Sequence, residues 1–276
     1  MMHNIRRAGL QLVAMCCGLA LAADAVAQQA PEDPNALART LANPLASETS
    51  LTTEVRMAAG QGLGRQGLVN EVTFTKPFAL PQSWAIITNT VMPTTIRQNS
   101  AEYWGLGDSN VAAILVAPPR NNVFVGAGVV TVLPSATRAD LGARNWVAGP
   151  LFGVGYQDDV ISAYLRLSQR WTLGGPTGQT RTTLTALRSQ FSAGLGNGWS
   201  AGVNGDAEYE WEGTGRARWT VPVSLNLNRV FTFGDAQALQ IGGLITHYAM
   251  TGGPQRAVWE FGLHLTLVVP RGYFMR

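Results

Sequence analysis

From about residue 49 onward, apolar and polar side chains alternate with a period of two. Between Trp199 and Trp211 the odd positions are apolar, small or aromatic, and the even ones are Ser200, Gly202, Asn204, Asp206, Glu208 and Glu210. Trp219 to Phe233 repeats the alternation, with Arg229 alone breaking the apolar face. So do Ile161 to Leu173 and Trp259 to Val269. Strict alternation marks a strand with two unlike faces. A soluble β-sandwich also alternates, but its strands rarely run this long. At ~3.3 Å per residue and a tilt near ~40°, the Trp199 to Trp211 segment rises roughly 30 Å, the height of an apolar membrane band with an aromatic girdle at each edge.

The pattern predicts an all-β protein, a transmembrane antiparallel up-and-down β-barrel of about 12 strands. The strands fall at about 49–57, 68–78, 84–97, 110–117, 122–134, 146–156, 160–173, 181–195, 199–212, 218–233, 237–250 and 257–269. Val111 to Ala117 and Val123 to Leu133 are apolar on both faces, which leaves their register open. Connectors alternate between short turns and longer loops, and short turns belong on the periplasmic side, so both chain ends lie there. Ahead of the barrel, Asp33-Pro34 reads as a helix cap with proline at the first position, and Asn43-Pro44 as a stop. This predicts a short periplasmic helix.

The first residues alter the picture. Arg6 and Arg7, an apolar stretch from Ala8 to Ala23 and the small-residue site Ala25-Val26-Ala27 form a secretory signal. Four segments result: a signal peptide over 1–27, a periplasmic segment with the short helix over 28–48, an outer-membrane barrel over 49–270 and a tail over 271–276. The expected location is the cell outer membrane. Both cysteines, Cys16 and Cys17, fall inside the signal, which removes disulfides, zinc thiolates and cysteine nucleophiles from the remainder. Charged residues are only 13% of the chain, and the +3 net charge comes from scattered arginines with one lysine, Lys76, so no nucleic-acid footprint is present. Gly60-Gln61-Gly62-Leu63-Gly64 lacks the lysine and helix of a phosphate loop and reads as an extracellular loop.

Even-numbered positions of the seventh to tenth strands point inward, which collects Arg166, Arg170, Arg188, Asp206, Glu208 and Glu210 in one sector of the lumen. Glu260 and His264 point inward from the last strand. A turn centred on Asn197 sets Arg188 opposite Asp206, and a loop centred on Thr177 sets Arg166 opposite Arg188. Such charges either satisfy one another or form a polarised constriction that selects solutes. Trp84, Trp146, Trp171, Trp199, Trp211, Trp219 and Trp259 are assigned to the aromatic girdles. Asp206, Glu208 and Glu210 also offer oxygens to calcium, although no metal or cofactor is assigned. A lipid-hydrolase reading would use His247, but its expected cross-strand neighbours, Val223 and Trp259, supply no nucleophile. His264 is expected opposite Gly242. The chain is therefore read as a non-enzyme with no catalytic residue.

Several segments resemble a known family. Leu41-Ala42-Asn43-Pro44-Leu45-Ala46-Ser47, Trp84 with Thr90-Val91-Met92-Pro93, Gly105-Leu106-Gly107-Asp108, Leu133-Pro134-Ser135-Ala136-Thr137, Trp146-Val147-Ala148-Gly149-Pro150 and Trp219-Thr220-Val221-Pro222 are similar, in order, to the neuromedin U-like bacterial outer-membrane proteins. That group lies near the phenol-degradation meta-pathway transporter family. The resemblance implies an outer-membrane barrel that moves small, aromatic or apolar molecules. The segment Glu48 to Met57 and the tail beyond Pro270 depart from the family pattern. The expected function is a channel or transporter for such molecules, and the alternative is a closed structural or surface-interaction barrel. Expected partners are outer-membrane lipids, the barrel-assembly machinery and a small-molecule solute.

Overall fold

The computed structural model describes residues 33–45, 48–59, 67–99, 101–103, 105–139, 141–176, 181–212, 218–233, 237–250 and 259–269. The signal over 1–27, the glycine-rich loop Gly60 to Gly64 and the tail over 271–276 lie outside the described residues.

One helix, α1 (Pro34–Leu41), precedes a single antiparallel sheet. Its strands are β1 (Ser50–Ala59), β2 (Gly67–Ala79), β3 (Ala85–Asn99), β4 (Ala101–Tyr103), β5 (Ser109–Val116), β6 (Val123–Leu133), β7 (Trp146–Gln157), β8 (Ile161–Gly174), β9 (Thr183–Gly196), β10 (Trp199–Glu210), β11 (Trp219–Phe233), β12 (Gln237–Met250) and β13 (Trp259–Val268). Each long strand pairs with its chain neighbours, and β1 pairs with β13 from Ser50↔Val268 to Ala59↔Trp259, which closes the ring. The three-residue β4 pairs only with the tip of β3 and extends that hairpin beyond the ring. It is absent from the sequence expectation because so short a segment shows no alternation. Twelve strands therefore make the barrel, as expected.

The turns follow their residues. Asn121 and Asn122 both adopt positive φ (48° and 65°), the backbone of a two-residue hairpin turn whose twist matches its strands. Gly196, Asn197 and Gly198 do the same between β9 and β10. Between β7 and β8, Asp158 accepts hydrogen bonds from the Val160 and Ile161 amides at 2.8 and 2.7 Å.

Outside the barrel, the odd-numbered side chains of β8 to β13, such as Leu167, Leu187, Phe191, Leu225, Leu227 and Leu263, are exposed and apolar. Arg229 is tolerated there because its guanidinium lies 5.2 Å from the Trp199 ring and 4.8 Å from the Phe231 ring, where cation–π attraction offsets part of its desolvation. The seven girdle tryptophans are all exposed, but unevenly placed. Trp84 and Trp199 stand at the short-turn rim, whereas Trp146, Trp171, Trp211, Trp219 and Trp259 stand at the long-loop rim. Trp211 sits just past the end of β10, with Nε1 donating to Thr185 Oγ1 at 2.8 Å.

Strands β5 and β6 are apolar on both faces for a reason outside themselves. Their inward residues Ala112, Ile114, Val116 and Val130 pack with Ile87, Leu151, Tyr164 and, from the N-terminal segment, Leu45. That segment runs inside the barrel. Helix α1 starts with Asp33 accepting from the Asn35 amide at 3.0 Å and ends before Asn43, close to the expected limits. Its Leu37 and Ala38 are buried against the inward Val230, Ala238 and Val268.

Two predictions follow from this packing. A Cβ at Gly128 would lie 1.9 Å from the Ala113 carbonyl oxygen, so Gly128→Val should prevent closure, seen as loss of the heat-modifiable band in electrophoresis. The Ile161 and Val160 amides, followed by Tyr156 Oη, hold the Asp158 carboxyl below the usual carboxylate range. A depressed pKa gives stability that is full above the unfolded value and lost as pH falls through the folded one. The Val160 and Ile161 amide shifts should therefore titrate below the ordinary aspartate midpoint.

Candidate functional site

The ladder registers fix which inward side chains meet. Arg166 pairs with Arg188, and Arg188 with Asp206, as the turn centres imply. Arg188 Nε donates to Asp206 Oδ2 at 2.8 Å. One strand further, Arg170 Nη2 lies 3.5 Å from Glu208 Oε1. Glu210, at the end of β10, accepts from the Thr183 amide at 2.9 Å. These three carboxylates are therefore engaged separately, and among the described residues no group of three or more His, Cys, Asp or Glu is placed to hold a metal. The convergence on calcium considered from the sequence is not what the geometry shows.

Glu260 belongs to a second cluster that sequence reasoning missed. Arg56 on β1 lies between Glu54 (Nε to Oε1, 3.0 Å), Glu71 on β2 and Glu260 on β13 (3.9 Å), its Nη2 donating to Glu71 Oε2. The same parity rule that found Asp206 finds these residues, since Ser50, Thr52, Glu54 and Arg56 alternate with Leu51, Val55 and Met57. They escape notice because the cluster is spread over three strands, and only closure brings the last of them to the first. His264 faces inward opposite Gly242, as expected, with its ring over the space a Gly242 side chain would fill.

Around the ring, the interior falls into four sectors. Strands β13, β1 and β2 carry the carboxylate-rich cluster. Strands β3 and β5 to β7 carry the apolar wall covered by Leu45. Strands β8 to β10 carry the arginines and their partners. Strands β11 and β12 are neutral and polar, with Ser224 and Thr246 bonded at 2.7 Å and Asn228 donating to Asn226 at 3.1 Å. In the ring of twelve, β8 stands six places from β1 and β9 six places from β2, so the two charged sectors face each other.

The N-terminal segment shapes the short-turn mouth. Asn35 Oδ1 accepts from the Gly198 amide at 2.8 Å, which ties α1 to the β9–β10 turn. Asn43 is fully buried, accepts from the Leu45 amide at 3.0 Å and donates to Gln157 at 3.2 Å. A Cβ at Gly155 would meet the Asn43 side chain at 2.9 Å, so the glycine makes room for this crossing. Beside it a cavity of about 500 Å³, lined by Arg39, Asn122, Phe124, Gln157 and Asp158 among others, opens at the same rim. At the other rim, Asp108 accepts from the Ala136 and Arg144 amides at 3.1 and 2.8 Å. That contact binds the Gly105-Leu106-Gly107-Asp108 and Pro134-Ser135-Ala136-Thr137 loops together.

The fold has counterparts among solved structures. A crystal structure described as an outer membrane channel from Pseudomonas putida F1 superposes with a TM-score of 0.62 at 12% identity, over 80% of this chain and 96% of that one. The fold is that of an outer-membrane β-barrel. A structure of the NanC porin matches with a TM-score of 0.51 at 10% identity, over 79% of this chain and 98% of that one. No family model matches the sequence, and neither does any curated protein.

On the outer face, His247 is paired with Val223 and Trp259 as expected, and stacks 4.5 Å from the Trp259 ring. Neither neighbour offers a nucleophile or a group to orient the imidazole.

The Arg56 cluster generates a stability prediction. Arg56 is 30% exposed and its three carboxylates 18–27%, so the ~3–5 kcal/mol cost of breaking a buried pair is reduced by lumen water. Arg56→Met should destabilise the refolded barrel by about 2 kcal/mol in urea titrations from lipid vesicles, and Glu260→Gln added to it should recover part of the loss.

Proposed function

We propose that the protein is an outer-membrane channel that admits small molecules to a narrow, charged bore. One observation carries the reading: Arg188 points into the lumen, yet its side chain is 50% exposed. An interior filled by side chains would cover it; its exposure marks water-accessible space at mid-height. The likeness in fold to proteins described as an outer membrane channel and a porin supports the same reading.

In this reading the short-turn rim and α1 lie in the periplasm, the tryptophan rims meet outer-membrane lipids, and the barrel-assembly machinery inserts the chain. The chemistry is passage, with no covalent step. The apolar wall on β3 and β5 to β7 offers a surface for the aromatic or apolar part of a solute, in keeping with the resemblance to the neuromedin U-like proteins. The closed-barrel alternative draws on a specific observation too, since the N-terminal segment crosses the periplasmic mouth and buries Leu37, Ala38 and Leu45 there.

Planar-bilayer recording of the refolded protein separates the two. Discrete conductance steps are expected, and a silent bilayer from folded, heat-modifiable protein would overturn the channel reading. Removing residues 28–41 should raise the unit conductance, because α1 occupies the mouth beside β8 to β11.

A further inference from the structure

We propose that the facing charged sectors form a selectivity site for small zwitterionic solutes, an inference that rests on the channel reading. Arg188 is bound to Asp206, and Arg170 lies beside Glu208. Arg166 has no ion pair among the described residues. Its charged neighbours are Arg188, Arg170 and Asp206, and that aspartate is already held by Arg188. At mid-height this wall therefore presents a guanidinium without an ion-pair partner, since the wall's third carboxylate, Glu210, lies at the long-loop end of β10 on the Thr183 amide.

The facing wall has the opposite surplus. Glu54, Glu71 and Glu260 share the single guanidinium of Arg56, which leaves negative charge in excess. Between these walls lie surfaces without formal charge: an apolar one covered by Leu45, and one of hydroxyls and amides including Ser224, Asn226 and Thr246. The field therefore runs across the bore, from Arg166 on β8 toward the glutamates on β13, β1 and β2. Strands β8 and β9 stand opposite β1 and β2 in a ring of twelve whose backbone diameter is roughly 24 Å, so a small molecule between side chains reaching inward from both walls feels both.

A solute with one sign of charge gains at one wall and is repelled at the other. A neutral solute gains nothing from the field. A molecule with an anionic and a cationic group can place the first at Arg166, where a guanidinium fork suits a carboxylate, and the second toward the glutamates. Its dipole is aligned as it passes, and its charged groups exchange hydration for fixed protein charge.

Swelling of proteoliposomes tests this with 4-aminobutyrate as the zwitterion and erythritol as a neutral solute of similar size. The wild-type ratio of rates should favour 4-aminobutyrate by about fivefold, the equilibrium equivalent of one exposed ion pair. Arg166→Gln should bring that ratio close to one, and so should Glu54→Gln combined with Glu260→Gln, which keeps the test usable should one variant fail to fold. A wild-type ratio near one with erythritol entering freely would overturn the inference while leaving the channel standing. So would an unchanged ratio in folded Arg166→Gln, since the arginine would then only obstruct. A bilayer without conductance and vesicles closed to both solutes would instead remove the channel reading and this inference with it.

Discussion

The seam between the first and last strands is the constraint on which the rest depends. In hydrocarbon an unpaired strand edge leaves a row of amides and carbonyls without partners, so a sheet spans only if it closes. Pairing from Ser50↔Val268 to Ala59↔Trp259 achieves that closure. Once it is made, every side chain faces either lipid or lumen, and parity alone decides which. The Arg56 cluster lies on this seam. By holding Glu71 of β2 and Glu260 of β13 from a position on β1, it joins the first two strands to the last one in the chain. The side chains that polarise the lumen also fasten its closure.

Inside the ring, two problems share one solution. An apolar inner wall exposed to water would forfeit the ~25 cal/mol per Å² that burial returns, and a short N-terminal helix has no stability by itself. Packing Leu45 against Ile114 and Leu151, and Leu37 and Ala38 against Val230, Ala238 and Val268, buries both. The doubly apolar strands and the inward segment are therefore one feature. Filling is confined to one side of the lumen and its short-turn mouth, and Arg188 stays half exposed.

Much of this was legible in the sequence. Period-two alternation, with the rhythm of apolar runs and turns where it lapses, located the twelve barrel strands, and the turn centres at Asn197 and Thr177 predicted the Arg166, Arg188 and Asp206 row that the ladders contain. Asp33-Pro34 and Asn43-Pro44 bounded the helix because capping is a local property. Register failed to emerge for β5 and β6 since their inward face is set by Leu45, a residue distant in sequence. Glu54, Arg56 and Glu71 have the right parity, but their meaning depends on closure, which brings the last strand to the first. The calcium reading of Asp206, Glu208 and Glu210 failed because it counted acids on one strand without the cations on the two strands beside it.

The size of the ring decides whether charges on opposite walls matter to each other. Twelve strands about 4.8 Å apart and tilted near 40° give a backbone diameter of roughly 24 Å. Arginine and glutamate side chains reaching inward from both sides narrow the gap toward the ~8–10 Å over which physiological salt screens a charge. In a sixteen-stranded barrel of the same composition, the walls would be separated by a wider band of electrolyte and would act independently. In an eight-stranded one, side chains would fill the interior and leave no passage. At twelve, an unmatched Arg166 on β8 and an excess of carboxylate six strands away on β1 act on the same volume of water. Position around a ring of this circumference turns charge pairs that are locally structural into a field across the lumen.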